Sequence, residues 1–131
     1  MAEARLHLRF AVELYKAQMD EGRLFVHEHP WGAKSWLEEE IMELIQKPEV
    51  ILVKGDQCRF GLLSKEGEVV KKPTGFLTNS PQTAKELARE CDGRHRHRQL
   101  AGGSRCQQAQ VYPPELCKAI CRGAARGLEF R

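Results

Sequence analysis

The sequence predicts an α/β fold, in which helices cover a short sheet. Two apolar runs, residues 23–27 and 49–56, are continuous rather than alternating, as in strands that are buried on both faces. Apolar residues at helical spacing precede and follow each run, so helices and strands alternate along the chain. A chain of 131 residues has the length of one domain and can bury one real core.

The first strand is flanked by two helical patterns. The first helix is predicted from residue 3 to 20 and ends before Gly22, with the apolar positions Leu6, Phe10 and Leu14 flanked by Leu8 and Tyr15. The strand follows at 23–27. Ser35 and Glu38 then form the pattern of a capping box, which predicts a second helix up to Pro48. The apolar stripe of this helix consists of Leu37, Ile41, Leu44 and Ile45.

The next elements are a strand, a hairpin and a third helix. The stretch "EVILVKGD" is dense in β-branched residues and predicts the second strand. The stretch "RFGLLSKEGEVVKKPTGFLTNS" predicts a hairpin with its turn at Glu66 and Gly67. Ser80 and Pro81 predict the start of a third helix that runs to Cys91. This order indicates a sheet that is parallel first and antiparallel at its edge.

Residues 92–131 have a different character from residues 1–91. Residues 92–110 read as a long loop, and a last helix begins near Tyr112 and its two following prolines. Residues 92–131 contain eight Lys or Arg and three Asp or Glu, whereas residues 1–91 contain thirteen and fifteen. We therefore interpret the chain as an α/β portion, 1–91, followed by a basic loop and helix, 92–131. The basic part is the one expected to face a polyanion.

Composition excludes several classes of protein. No apolar stretch approaches the roughly 20 residues that cross a bilayer, and the first residues do not form a signal peptide. Five cysteines are an odd number in a chain with a good core pattern, which argues against a secreted disulfide framework. We expect a soluble intracellular protein, cytoplasmic or nuclear, with free thiols and no membrane partner.

Four separated blocks, "GRLFVHEHPWGAKSW", "GDQCRFGL", "KKPTGFLTNSP" and "VYPPELCKAI", resemble a methyltransferase-like segment of retroelement-type polyproteins. Residues 20–79 also resemble the second half of the cytosine-5 DNA methyltransferase fold, in which a strand ends in a Glu-Asn-Val motif. Phe25, Val26 and Glu28 match this motif, whereas His29 stands in place of Asn and Pro30 in place of Val. The resemblance implies the carboxyl-terminal half of a Rossmann-like sheet, followed by two helices.

The resemblance also implies that a half of the fold is missing from residues 1–131. Such an enzyme holds S-adenosylmethionine with a glycine-rich loop and attacks with a Pro-Cys loop, and the sequence contains neither. We therefore expect a single partial α/β domain that transfers no methyl group alone and needs no cofactor alone. Its expected partner is the missing amino-terminal half or a second copy of the chain, because a cut sheet leaves an unpaired strand.

Glu28 and His29 are the candidate catalytic residues that the resemblance implies. A carboxylate at this position can accept a hydrogen bond from a cytosine amino group. The alternative is that Glu28 pairs with a base such as Arg59 or Lys72. We expect His27 and His29 to point to opposite faces of the strand, which argues against a shared metal ion. Both Trp31 and Trp36 fit packing better than base stacking.

The stretch "CDGRHRH" is the best candidate for a metal site. Cys91, His95 and His97 are donors that zinc prefers, and Cys58 or Cys117 is available as the fourth ligand. A rival set combines His95 and His97 with Cys117 and Cys121. The spacing matches no standard zinc finger, so the alternative that the cysteines simply pack while the histidines are exposed stays open.

The basic residues suggest contacts with nucleic acid. The candidates are Arg94, Arg96, Arg98, Arg105, Lys71 and Lys72. Such contacts with phosphates are independent of sequence and weaken with salt. The alternative for Lys71 and Lys72 is a solvated hairpin edge. Two functions follow from these observations: half of a methyltransferase-like domain, and a zinc-stabilised module that binds nucleic acid or protein.

Overall fold

The computed structural model of the chain describes residues 2–93, 96 and 113–129. Within these residues the chain is mixed α/β, with four α-helices, three strands and two 3-10 turns. The helices are α1 (Ala2–Asp20), α2 (Glu39–Ile45), α3 (Pro81–Leu87) and α4 (Pro114–Glu129). The strands are β1 (Val26–Pro30), β2 (Ile51–Asp56) and β3 (Pro73–Thr78), and the 3-10 turns are Lys34–Leu37 and Gln57–Phe60.

The strand order in the sheet is β1-β3-β2, and both pairs are antiparallel. Val26 of β1 and Ile51 of β2 both lie opposite Thr78 of β3. The two outer strands therefore run parallel to each other without touching. The prediction of a parallel pair followed by an antiparallel edge is wrong, because β3 enters the sheet between β1 and β2.

The predicted hairpin is much smaller than expected. Its turn is confirmed, since Gly67 adopts a φ of 80° and its N–H donates to the carbonyl of Ser64. Pairing of the two arms is limited to one bridge between Leu63 and Val69. The returning arm continues into β3, which pairs with β1 and β2 instead of extending the hairpin.

Both faces of β3 are buried, and a layer of helices covers each face. On one face, Phe76 packs with Phe60, Leu87 and Leu116, which places α3 and α4 on this side. On the other face, Leu77 packs with Phe25, Leu44 and Val50, together with Tyr15 and Met19 of α1. The structure is therefore three layers thick, with the sheet in the middle.

Helix α1 buries a different stripe from the predicted one. Leu8 and Val12 are buried against Ile41 of α2, whereas Leu6, Phe10 and Leu14 are 51 to 67% exposed. The helix carries two apolar stripes on opposite sides, and spacing alone does not tell which one meets the core. No helix of the described residues is long and apolar enough to cross a membrane.

The predicted capping box at Ser35 and Glu38 is wrong. Ser35 lies inside a 3-10 turn, and its hydroxyl contacts His29 rather than a backbone N–H. α2 begins after Glu38 without a side-chain cap. Leu37, expected in the apolar stripe, is 74% exposed because the turn rotates it away from the core, while Ile41 is buried.

The start of α3 follows the prediction. Ser80 accepts a hydrogen bond from the N–H of Thr83 at 3.1 Å, and Pro81 occupies the first turn. The helix ends at Leu87 and not at Cys91. The reason is a pair of hydrogen bonds between the following segment and Asp56. The backbone N–H of Asp56 donates to the carbonyl of Arg89 at 2.8 Å, and the N–H of Cys91 donates to Oδ2 of Asp56 at 2.6 Å.

Gly75 in the central strand is predicted to tolerate no side chain. A Cβ at this position would stand 2.5 Å from Cζ2 of Trp36, and an indole ring cannot fold aside as a long aliphatic chain can. We expect Gly75→Ala to lower the free energy of unfolding by about 1 to 3 kcal/mol. Gly32→Ala is the matched control, because no atom lies within 4 Å of its added Cβ. Urea denaturation of both variants checks this, and equal stabilities would contradict the packing described.

Candidate functional site

Strand β1 presents two histidines on one face of the sheet. His27 and His29 are two residues apart, so both side chains project toward α1. Their ring centroids are 4.5 Å apart with an interplanar angle of 31°. The prediction that they point to opposite faces is wrong, because the period of a strand is two residues. Glu28 between them belongs to the opposite face, which it shares with Val26.

Hydrogen bonds hold both imidazole rings in place. Nδ1 of His27 lies 2.7 Å from the hydroxyl oxygen of Tyr15, and Nδ1 of His29 lies 2.9 Å from that of Ser35. The indole of Trp36 stands edge-on to both rings, with centroids 5.8 and 5.9 Å away. Its own N–H donates to the carbonyl of Pro30. Both histidine hydrogen bonds involve the Nδ1 atoms of the rings.

Burial keeps the two histidines neutral near physiological pH. It lowers the pKa of His27 to about 4, with a further contribution from the neighbouring His29. Burial also lowers the pKa of His29, against the opposing effect of the Glu28 carboxylate. The pKa of Tyr15 is raised by burial, so the phenol stays protonated.

A cavity of about 460 Å³ opens above the two rings, between α1 and the first 3-10 turn. This volume is in the range of small-ligand sites. Apolar side chains of α1, such as Leu8, form much of its wall. Three imidazoles and four polar or charged side chains also line it: His7, His27, His29, Arg5, Lys34, Ser35 and Glu38. Arg5 and Glu38 form an ion pair with 3.3 Å between Nε and Oε2.

A second cluster lies at the carboxyl ends of β1 and β2. Trp31 directly follows β1 and is 43% exposed, so a large part of its indole is open to solvent. Nζ of Lys54 lies 5.9 Å from its ring centroid, within reach of a cation–π contact. The backbone N–H of Trp31 donates to the carbonyl of Pro73. This contact brings Lys71 and Lys72 to the same end of the sheet.

The backbone at Lys72 is unusual. Its φ is 40°, in the left-handed region that a lysine rarely adopts. Its carbonyl accepts hydrogen bonds from the hydroxyl of Thr74 at 2.8 Å and from the N–H of Gln57 at 3.4 Å. These contacts hold the segment before β3 against the second 3-10 turn. No glycine or asparagine marks this turn in the sequence, so it was not foreseeable.

Cys58 and Cys91 are brought together, as the predicted metal set requires. The pKa of Cys58 is raised to about 12, first by burial and then by a hydrogen bond with the Cys91 thiol. Oδ2 of Asp56 accepts the N–H of Cys91 at 2.6 Å. Across residues 2–93, 96 and 113–129, no three His, Cys, Asp or Glu side chains form a group that could hold a metal ion.

The other predicted residues are distributed as follows. His95, His97, Arg94, Arg98 and Arg105 lie outside the described residues, and Arg96 is exposed. Cys117 and Cys121 are exposed thiols on α4. Arg59 donates to the carbonyl of Glu90 at 2.8 Å, a contact that the sequence did not suggest.

No protein-family profile, curated protein or solved structure shows a significant match to this chain. The functional interpretation therefore depends on the geometry of the three clusters, around His27 and His29, around Trp31, and around Cys58 and Cys91, and on the sequence resemblance. The histidine cavity was missed from the sequence because Tyr15, Ser35 and His7 are distant from the strand motif or carry no motif of their own.

The buried His27 predicts a loss of stability in acid. Its pKa rises from about 4 in the folded chain to its ordinary 6.5 on unfolding. At pH values between about 4 and 6.5 the unfolded chain therefore binds one proton more than the folded chain. The free energy of unfolding is unaffected above pH 6.5 and falls by up to about 3 kcal/mol on acidification toward pH 4. His29 contributes in the same direction.

Urea denaturation at a series of pH values, with a chelator present, measures this effect. His27→Gln keeps a polar side chain but cannot titrate, so its stability should depend less on pH in this range. An unchanged pH dependence in that variant would contradict the assignment.

Proposed function

We propose that this chain is the nucleic-acid-binding half of a methyltransferase-like α/β domain, of the type its sequence resembles in retroelement-type polyproteins. The observation that carries the proposal is Trp31, an exposed indole under the ammonium group of Lys54 at the carboxyl ends of β1 and β2. At this end of the sheet β1 and β2 end and β3 begins, so side chains from three segments meet there.

An exposed indole beside lysines suits an unpaired base and its phosphates. Every base offers a π face that can stack on Trp31, whatever its sequence. Lys54, Lys71 and Lys72 supply positive charge around it and can displace counterions from the backbone. This combination favours single-stranded or locally opened nucleic acid over a closed duplex, in which bases are already stacked.

Glu28 is the residue that links this surface to base recognition. It lies on β1 next to the strand end that Trp31 extends, and a carboxylate can accept from the amino group of cytosine. β1 is also an outer strand of the sheet and runs parallel to β2. A further parallel strand from another half of the domain could pair with it, as in open α/β sheets.

The residues of this chain do not fit S-adenosylmethionine. The sequence has no glycine-rich loop after a strand, and none of its cysteines follows a proline. Cofactor and nucleophile must then come from the other half, and we derive no methyl transfer by this chain. The role of residues 1–131 is to bind and orient the nucleic acid.

A second candidate function is a zinc-stabilised interaction module. The contact between the Cys58 and Cys91 thiols favours it, because two of the four predicted ligands are already adjacent. His95 and His97 would complete the set. In this alternative, zinc orders the basic segment that follows Cys91 and so strengthens its binding to phosphates.

Trp31→Ala should weaken binding to a fluorescein-labelled single-stranded oligonucleotide about tenfold or more, because stacking contributes about 1 to 3 kcal/mol per base. Trp31→Phe keeps a π face and should retain much of the affinity.

Lys54→Ala and Lys72→Ala should each reduce the salt dependence of binding, by about 0.7 in the slope of log K against log salt concentration. Fluorescence anisotropy with DNA and RNA probes measures these effects.

The matched control is Lys16→Ala, which removes the same charge from α1, where Lys16 pairs with Glu13 at 3.6 Å. This variant should bind like the parent chain with an unchanged salt slope. If Trp31→Ala binds as tightly as Trp31→Phe and the parent, stacking at the strand ends is excluded and the proposal fails.

Replacing Arg94, Arg96 and Arg98 by Ala together tests the basic segment. Binding should be abolished, because three charges that can contact phosphates are removed. We expect the fold to be retained, because arginine side chains in solvent contribute little to stability. Cys91→Ser should weaken binding and make it insensitive to a chelator if zinc orders the segment. Anisotropy and circular dichroism measure the two properties. Parent-like binding of the triple variant at low salt would show that this segment is merely a solubilising surface.

A further inference from the structure

The paired imidazoles on β1 are not among the residues that the proposed function assigns to nucleic-acid binding. They lie on the α1 face of the sheet, as Lys54 does by register, whereas Glu28 belongs to the other face. His27 is only 6% exposed, and its ring and that of His29 form the floor of the cavity. A buried polar pair of this type needs a structural or a ligand-binding explanation, because burial of polar groups is costly.

The hydrogen bonds of the two rings match those of metal-binding histidines. A histidine that binds a metal through Nε2 is usually held by a hydrogen bond at Nδ1, which orients the ring. Here Tyr15 and Ser35 occupy the two Nδ1 atoms at 2.7 and 2.9 Å. Trp36 fixes the ring planes from the side. Both rings are therefore oriented before any ligand arrives.

A third imidazole lines the same cavity. His7 is exposed on α1, one residue before the buried Leu8. No three donors in the described part of the chain are already grouped for a metal, so binding of an ion here requires a movement of the His7 side chain. Three imidazoles and a water molecule are a coordination set that Zn²⁺ uses.

We infer that the cavity between α1 and β1 is a Zn²⁺ site, with His27 and His29 as fixed ligands and His7 as the ligand that closes on the ion. Ser35 and Tyr15 are positioning residues that act through the two rings. The site is separate from the predicted set around Cys58 and Cys91, which lies beyond the carboxyl end of β2.

Cobalt(II) distinguishes the two sites by its spectrum. Cobalt in an imidazole site shows visible d–d bands without the near-ultraviolet charge-transfer band that thiolate ligands produce. We therefore expect the metal-free chain to bind one Co²⁺ with d–d bands alone, and Zn²⁺ to displace it. The double variant Cys58→Ser, Cys91→Ser removes the thiolate pair and should leave this spectrum and the zinc affinity unchanged.

Variants of the cavity should lose affinity in a graded order. We expect His29→Ala to lower the zinc affinity a hundredfold or more. His7→Ala should lower it less, because the parent chain loses conformational entropy when the His7 side chain is ordered on the ion. Ser35→Ala should lower it roughly tenfold without removing a ligand, as is typical for the partner of a ligating histidine. Isothermal titration calorimetry gives the affinities. Circular dichroism and urea denaturation without metal show whether each variant is folded.

Three results would overturn the inference. The first is absence of Zn²⁺ or Co²⁺ binding by the folded parent chain. The second is a charge-transfer band that disappears in the double cysteine variant, since the metal would then be at Cys58 and Cys91. The third is unchanged affinity in folded His29→Ala or His7→Ala. Because Trp31 and Lys54 are not among these ligands, nucleic-acid binding can fail while zinc binding succeeds, and the reverse also holds.

Discussion

Burial of β3 on both faces is the constraint on which the rest of the fold depends. With Phe76 on one side and Leu77 on the other, the strand needs an apolar cover on each. It also needs partners for its polar groups. The hydroxyl of Thr78 donates to the carbonyl of Phe25 at 2.6 Å, and that of Thr74 accepts from Gln57 at 3.1 Å. Helices on both sides and strands on both edges follow from these requirements.

Because β3 occupies the centre, β1 becomes an outer strand whose side chains alternate between the two layers. The histidine side faces α1 and a cavity, and the Glu28 side faces the layer of α3 and α4. Pro30 ends the strand, and its carbonyl binds the Trp36 indole, while Trp31 turns toward the strand ends. The five residues of β1 thus contribute to two chemically different surfaces, one on each face of the sheet.

Local patterns in the sequence predicted element type well. The caps and turns of Ser80 and Gly67 depend on one or two residues, and both were predictable. The insertion of β3 between β1 and β2 was not, because strand order depends on packing of distant segments. The buried stripe of α1 could not be chosen for the same reason. At Ser35, the hydroxyl found a side-chain partner, His29, that local pattern rules do not consider. The site residues that motifs indicated, Glu28 and His29, were placed on opposite faces.

The shared backbone of β1 has a thermodynamic consequence for the two surfaces. A ligand that draws His27 and His29 together shifts the backbone of β1, and Glu28 lies on that backbone between the two histidines. Any free energy of coupling between the two faces is reciprocal, so an ion on the α1 side and a base at the strand ends would alter each other's affinity by the same factor. A strand of five residues, rigid through its pairing with β3, makes such communication short and direct.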